Sequence, residues 1–156
     1  ESEKESELKV TRSAIGRTNM LKSVTNSLGG TFTLDYAHTT PTYGLPGGKW
    51  VMSALTVDDG IHDDGPVMTT AFEYKDGKRD RHEREFLGFG EVITKNLDTE
   101  NGNSVYRQAV ENYDVANYYT QGNVTATFVE DANGNKYTET KNRYDSYYIR
   151  EFEIIF

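Results

Sequence analysis

The sequence predicts an all-β protein of about eight to ten antiparallel strands with little or no helix. Three observations carry this. Val and Thr are abundant and the chain holds eleven Tyr, seven Phe and one Trp, residue types that suit a pleated, half-buried surface. Several short stretches alternate apolar and polar side chains and are separated by Gly-, Asn- and Asp-rich turns, the pattern of hairpin-linked strands. No stretch keeps a capped 3.6-residue apolar period. Hairpins of this kind build a curled sheet, a sandwich or an open barrel.

In chain order, Glu1 to Glu7 is nearly all charge and Ser and reads as a flexible acidic lead-in. Residues 8–156 read as a single β-rich domain. Leu8 to Ile15 alternates weakly and is expected to be a first strand. The clearest hairpin follows. Leu21 to Thr25 is one arm, Asn26-Ser27-Leu28-Gly29-Gly30 the turn, and Thr31 to Tyr36 the other arm. Phe32, Leu34 and Tyr36 share one face of that arm, because the side-chain period of a strand is two.

Pro41 and Pro46 exclude a central strand between His38 and Gly48. Lys49 to Val57 is the next strand, with Trp50, Met52 and Ala54 on one side. Asp58 to Pro66 is an acidic loop, and Val67 to Lys75 pairs back from it. Asp76-Gly77 is expected to be a tight turn. Lys78 to Glu85 is almost wholly charged and reads as a solvated loop or face. Phe86-Leu87-Gly88-Phe89-Gly90 then alternates rings with glycines. It is expected to be a strand that kinks at Gly88 to Gly90, with Phe86 and Phe89 buried on opposite sides. Two more hairpins are predicted, Glu91–Leu97 with Val105–Tyr113 and Asn123–Glu130 with Lys136–Tyr144. Tyr113 to Gln121 reads as an irregular connection. Tyr148 to Phe156 closes the chain as a strand.

The bulk numbers narrow the function. Leu, Ile, Val and Phe together are only about a fifth of the chain, close to the level of disordered sequences, so the core must be thin and aromatic. The net charge of −8 argues against a nucleic-acid partner. There is no Cys, hence no disulfide or thiolate metal site. No apolar run reaches the roughly 20 residues of a membrane span, so membrane insertion by this segment is not expected. The chain begins at Glu1, not Met, and is expected to be a piece of a longer protein or a processed product.

Candidate chemistry is sparse. Asp58, Asp59, Asp63 and Asp64 surround His62 and could offer oxygen ligands to a divalent cation, although the spacing is not that of an EF-hand; acidic turn residues are the favoured reading. Asp131-x-Asn133-x-Asn135 begins like a calcium loop but has Gly at the fourth position, not the sixth. No nucleophile motif surrounds His38, His62 or His82, and no cofactor motif is present, since Gly88-Phe89-Gly90 lacks the third Gly of a dinucleotide loop. An enzyme is not expected; a glycoside hydrolase is a remote alternative because its carboxylate pair is set by folding. A second alternative is a carbohydrate- or surface-binding module using Trp50, Tyr43, Tyr118, Tyr119, Tyr147 and Tyr148, with core packing of these rings favoured over it.

Two motifs carry a resemblance. Leu21 to Tyr36 resembles the L-x-x-V-T-N-x-x-G-G-x-x-x-x-x-Y segment of the B components of bacterial insecticidal toxin complexes and of related Rhs/YD-repeat proteins. Arg84 to Val92 is similar to the R-x-F-x-G-F-G-x-V signature that follows it there. Tyr113-Asp114 and Tyr144-Asp145 supply Tyr-Asp dipeptides. The resemblance spans roughly Leu8 to Tyr148 and marks Thr25, Asn26, Gly29, Gly30, Tyr36, Arg84, Phe86, Gly88, Phe89 and Gly90 as structural motif positions. It implies a non-catalytic β-sheet segment of a scaffold or encapsulating shell, secreted or at the cell surface. The implied partners are other segments of the parent chain and a toxin or secretion partner. The family's autoprotease and effector lie beyond the matched region, and no catalytic residue is carried over.

Overall fold

A computed structural model describes residues 19–61 and 67–145. They form eight strands: β1 (Ser23–Thr25), β2 (Thr31–His38), β3 (Trp50–Asp58), β4 (Met68–Arg79), β5 (Phe86–Asp98), β6 (Ser104–Tyr113), β7 (Val124–Glu130) and β8 (Lys136–Lys141). All lie in one sheet, in sequence order, and each pairs antiparallel with the next. Only consecutive strands touch. Among the described residues the sheet therefore neither folds over itself as a sandwich nor closes as a barrel. Of the three expected architectures, this unclosed single sheet matches the curled sheet. None of the described residues is helical. The expected strands at 8–15 and 148–156, and the lead-in at 1–7, lie outside the described residues.

The buried apolar residues among those described are Leu45, Leu87, Ile93 and Val110. Ile93 and Val110 face each other across β5 and β6, and Val110 faces Phe128 on β7. This row is the middle of the sheet, and direct cross-strand pairs of this type stabilise it. Lys75–Glu91 (2.6 Å) and Lys95–Glu73 bridge β4 and β5. Both pairs are substantially solvated, so each contributes at most about 1 kcal/mol.

Three departures from expectation have physical causes. Asp76-Gly77 is not a turn: β4 runs straight through it to Arg79. The left-handed φ of Asp76 (54°) is absorbed inside the strand, beside Gly90 of β5. On β3, Asp35 faces Ala54 but Tyr36 faces Met52. Ser53 is thus an inserted residue, and the alternation expected to hold Trp50, Met52 and Ala54 on one face breaks there. Phe32 lies beside Leu34 as expected but is 40% exposed, because among the described residues no second layer covers that end of the sheet.

Candidate functional site

The first motif is a hairpin turn locked from inside and outside. The Asn26 side-chain oxygen accepts the backbone N–H groups of Leu28 and Gly30, both at 2.9 Å, an Asx-type closure. The Asn26 N–H donates to the Gly30 carbonyl at 2.9 Å. Gly29 has φ +93°, and a Cβ added to Gly60 would lie 2.3 Å from the Gly29 carbonyl carbon. The β1–β2 turn thus stacks directly on the loop after β3, and backbone meets backbone where no side chain fits. Thr25 pairs through its hydroxyl with Thr31 at 3.2 Å. Tyr36 lies opposite Met52 and is half-buried.

The second motif builds the corner between β4 and β5. Lys78 faces Gly88 and Arg79 faces Phe86, so Leu87 is an extra residue in β5. One inserted residue shifts the side-chain alternation by one position. Phe86 and Phe89, three apart, therefore meet on the same side, with ring centroids 5.2 Å apart at 72°. The bend is where it was expected. Its consequence is the reverse of the expected one, since the rings are not on opposite sides. Gly88 takes φ +112°, a conformation that strains any residue with a Cβ. A Cβ on Gly90 would come within 3.0 Å of the Asp76 Cβ.

A plug from the β2–β3 loop completes this corner. Leu45 is 4% exposed. A Cβ added to Gly77 would meet Leu45 Cδ2 at 2.7 Å and Phe89 Cε1 at 2.9 Å. The loop is held by the Arg79 N–H, which donates to the Gly44 carbonyl at 2.8 Å, and by reciprocal backbone bonds between Thr42 and Leu45 at 3.2 Å. Tyr74 packs 5.0 Å from Phe89, and burial raises its hydroxyl pKa. The Lys49 ammonium sits 5.0 Å from the Phe86 ring centre. Leu45 and Gly77 were missed in the sequence. The available signal was a lone Leu between Gly44 and Pro46.

Between β4 and Phe86 the chain turns sharply. The Asp80 carboxylate accepts the His82 and Glu83 N–H groups at 2.7 and 3.0 Å. These bonds, that from Glu83 first, lower its pKa. Arg84 is exposed and adopts φ 58°. Arg81 lies over the Tyr43 ring at 4.4 Å.

Among the described residues, the remaining candidates do not assemble into a site. Asp58 accepts the Gly60 N–H and Asp59 the Ile61 N–H, each at 2.9 Å, so these two carboxylates act as turn acceptors. Asp63 and Asp64 lie outside the described residues, among which no group of three or more His, Asp or Glu is placed to hold a metal. The aromatic candidates have separate partners. Trp50 packs edge-on to His38 at 5.3 Å, Tyr118 edge-on to Tyr119 at 5.7 Å, and Tyr43 is taken by Arg81. Tyr147 and Tyr148 lie outside the described residues.

The sheet resembles that in the crystal structure of TcdB2-TccC3, with TM-score 0.63 and 18% identity over 80% of this chain and 10% of that one. TcdB2-TccC3 without its hypervariable C-terminal region gives TM-score 0.62 and 17% identity over 77% of this chain and 9% of the other. A mutant Tc holotoxin pore of Photorhabdus luminescens gives TM-score 0.64 and 17% identity over 78% and 9%. The chain thus spans about a tenth of the length of these structures, and at such identities the likeness is one of fold. No curated protein sequence matches the chain. The family model of the insecticide toxin TcdB middle/N-terminal region matches residues 5–124, which takes in both glycine-rich motifs and most of the sheet, and the chain belongs to that family.

Proposed function

We propose that the chain is a non-catalytic structural segment of a toxin-complex protein, a stretch of β-sheet in a scaffold or encapsulating shell. The observation that carries this is the sheet itself. Among the described residues it is a single layer with two edges. Among the described residues, β1 and β8 each have a partner on one side only, and every residue of both is exposed. An open edge is a template for further pairing, and a domain ordinarily buries its sheet against a second layer. Other segments of the parent chain are the natural partners for these edges. Residues 8–156 then act as one unit of the wall, following the acidic lead-in at 1–7.

On this reading Asn26, Gly29, Gly30, Gly88, Phe89 and Gly90 shape the sheet and perform no chemistry. The localisation is that of a secreted toxin, and a toxin component is the expected cargo or partner. No cofactor, nucleic acid or membrane insertion enters the reading. Hydrogen exchange tests it. The outward amides of β8 should exchange freely in the 156-residue chain and become protected in the full-length parent. Equal exchange in the two would remove the wall reading.

A further inference from the structure

We propose that the cleft beside the β4–β5 turn binds a tetrahedral oxyanion, a phosphate or sulfate group, through Arg79, Arg81 and Arg84. The three arginines, with Gly44, Pro46 and Asp80, line one cavity of about 390 Å³. In a chain of net charge −8 with 25 acidic residues, none of these guanidiniums has a carboxylate partner among the described residues. The one carboxylate in the cleft, Asp80, is already turned to the His82 and Glu83 N–H groups. Three cations against one anion leave a local excess that matches a dianion.

Each arginine also has a local feature that bears on its position. Arg81 lies over the Tyr43 ring, with its guanidinium carbon 4.4 Å from the ring centre, a contact that leaves its edge N–H donors available to a ligand. Arg79 spends one N–H on the Arg84 carbonyl, at 3.4 Å. Arg84 holds a left-handed φ of 58°, a conformation that persists in a bulky residue only where its surroundings impose it. A lone carboxylate is satisfied by one bidentate guanidinium, whereas a tetrahedral oxyanion offers enough oxygens for three. The cavity exceeds a bare ion, since a water takes about 30 Å³. A neighbouring cavity of about 670 Å³ shares Gly44, Arg79, Asp80 and Arg81, so the anion has room to carry an attached group, as in a phosphate or sulfate ester.

The test is an NMR titration of the 156-residue chain with inorganic phosphate, glucose 6-phosphate, glucose and malonate. Both phosphate compounds should shift the Gly44 and Arg84 amides, and glucose should not. Arg81→Gln and Arg84→Gln should each weaken phosphate binding about tenfold, the loss of one charge-assisted hydrogen bond. Lys141→Gln, on the far edge of the sheet, should leave it unchanged, and far-UV CD confirms that each variant is folded. An ester that binds more tightly than the free ion identifies the ester as the source; equal binding identifies the free ion. No shift with either compound at tens of millimolar, equal weakening by Lys141→Gln, or malonate binding as tightly as phosphate would each overturn the proposal.

Discussion

The Leu45 plug makes a prediction that depends on the corner being built as described. Leu45 is 4% exposed, and Leu→Ala at such a site costs about 2–5 kcal/mol. The plug sits on a loop that can partly collapse, so the lower half of that range, about 2–3 kcal/mol, is expected. Gly77→Ala acts at the same place from below. Gly77 lies in a strand without a left-handed φ, where Gly→Ala ordinarily stabilises by about 0.4–1 kcal/mol through the unfolded chain. Here the new methyl would meet Leu45 Cδ2 at 2.7 Å and Phe89 Cε1 at 2.9 Å. Overpacking of that kind costs about 1–3 kcal/mol, so the net sign should reverse to destabilising. The two changes share a contact and should not add. With Leu45 shortened, the methyl introduced by Gly77→Ala loses one of its two clashes, and the double variant should be more stable than the sum of the singles by about 0.5 kcal/mol or more. Urea unfolding followed by Trp50 fluorescence, with the slope unchanged across variants, gives all three numbers. A stabilising Gly77→Ala, or additivity within error, would refute the plugged corner.

Other changes probe separate parts of the sheet. Phe89→Ala should cost about 2 kcal/mol, below the roughly 3–5 kcal/mol of a fully buried ring, because Phe89 is half-buried against Phe86 and Tyr74; a loss near zero in the same urea assay would contradict that packing. Gly60→Ala combines φ +70° with a contact of 2.3 Å to the Gly29 backbone and should cost more than about 2 kcal/mol, with faster hydrogen exchange confined to β1 and β2. Asn26→Ala removes two turn bonds and should cost about 1–2 kcal/mol, read as a lower urea midpoint. The Asp131 pKa is lowered by the Asn135 side chain first, then by the Asn135 and Asn133 N–H groups. Its folded value therefore lies below its unfolded one. The stabilisation is complete above the ordinary value near 3.8 and is lost as pH falls through the lower folded value. A carboxyl titration by NMR should show a midpoint below 3.8, and one at or above it would mean that the turn bonds are absent.

The hairpins were legible because their information is local. Asn26-Ser27-Leu28-Gly29-Gly30 and Asp131-Ala132-Asn133-Gly134-Asn135 write their turns in residues that supply both the left-handed φ and the side-chain acceptor. The corner was only half legible. Gly88 announced a bend, but the bulge that reverses the facing of Phe86 and Phe89 depends on which residue of β4 pairs with which of β5, and that register is not a local property. Asp76-Gly77 misled for the same reason. The dipeptide reads as a turn, yet Gly77 is there to admit Leu45, which comes from a loop far back in the chain. The arginine cleft was invisible in a run of mixed charge. Lys78 to Glu85 reads as a solvated stretch until Asp80 is seen to turn inward to the backbone and leave the arginines together.

On the proposed reading this sheet is part of a larger wall. A cryo-EM structure of the full-length parent protein tests it most directly. Residues 23–141 should lie within the β-wall of the particle, with other segments of the chain hydrogen-bonded to the outer edges of β1 and β8. A self-contained module standing apart from the wall, its two edges left to solvent, would contradict it.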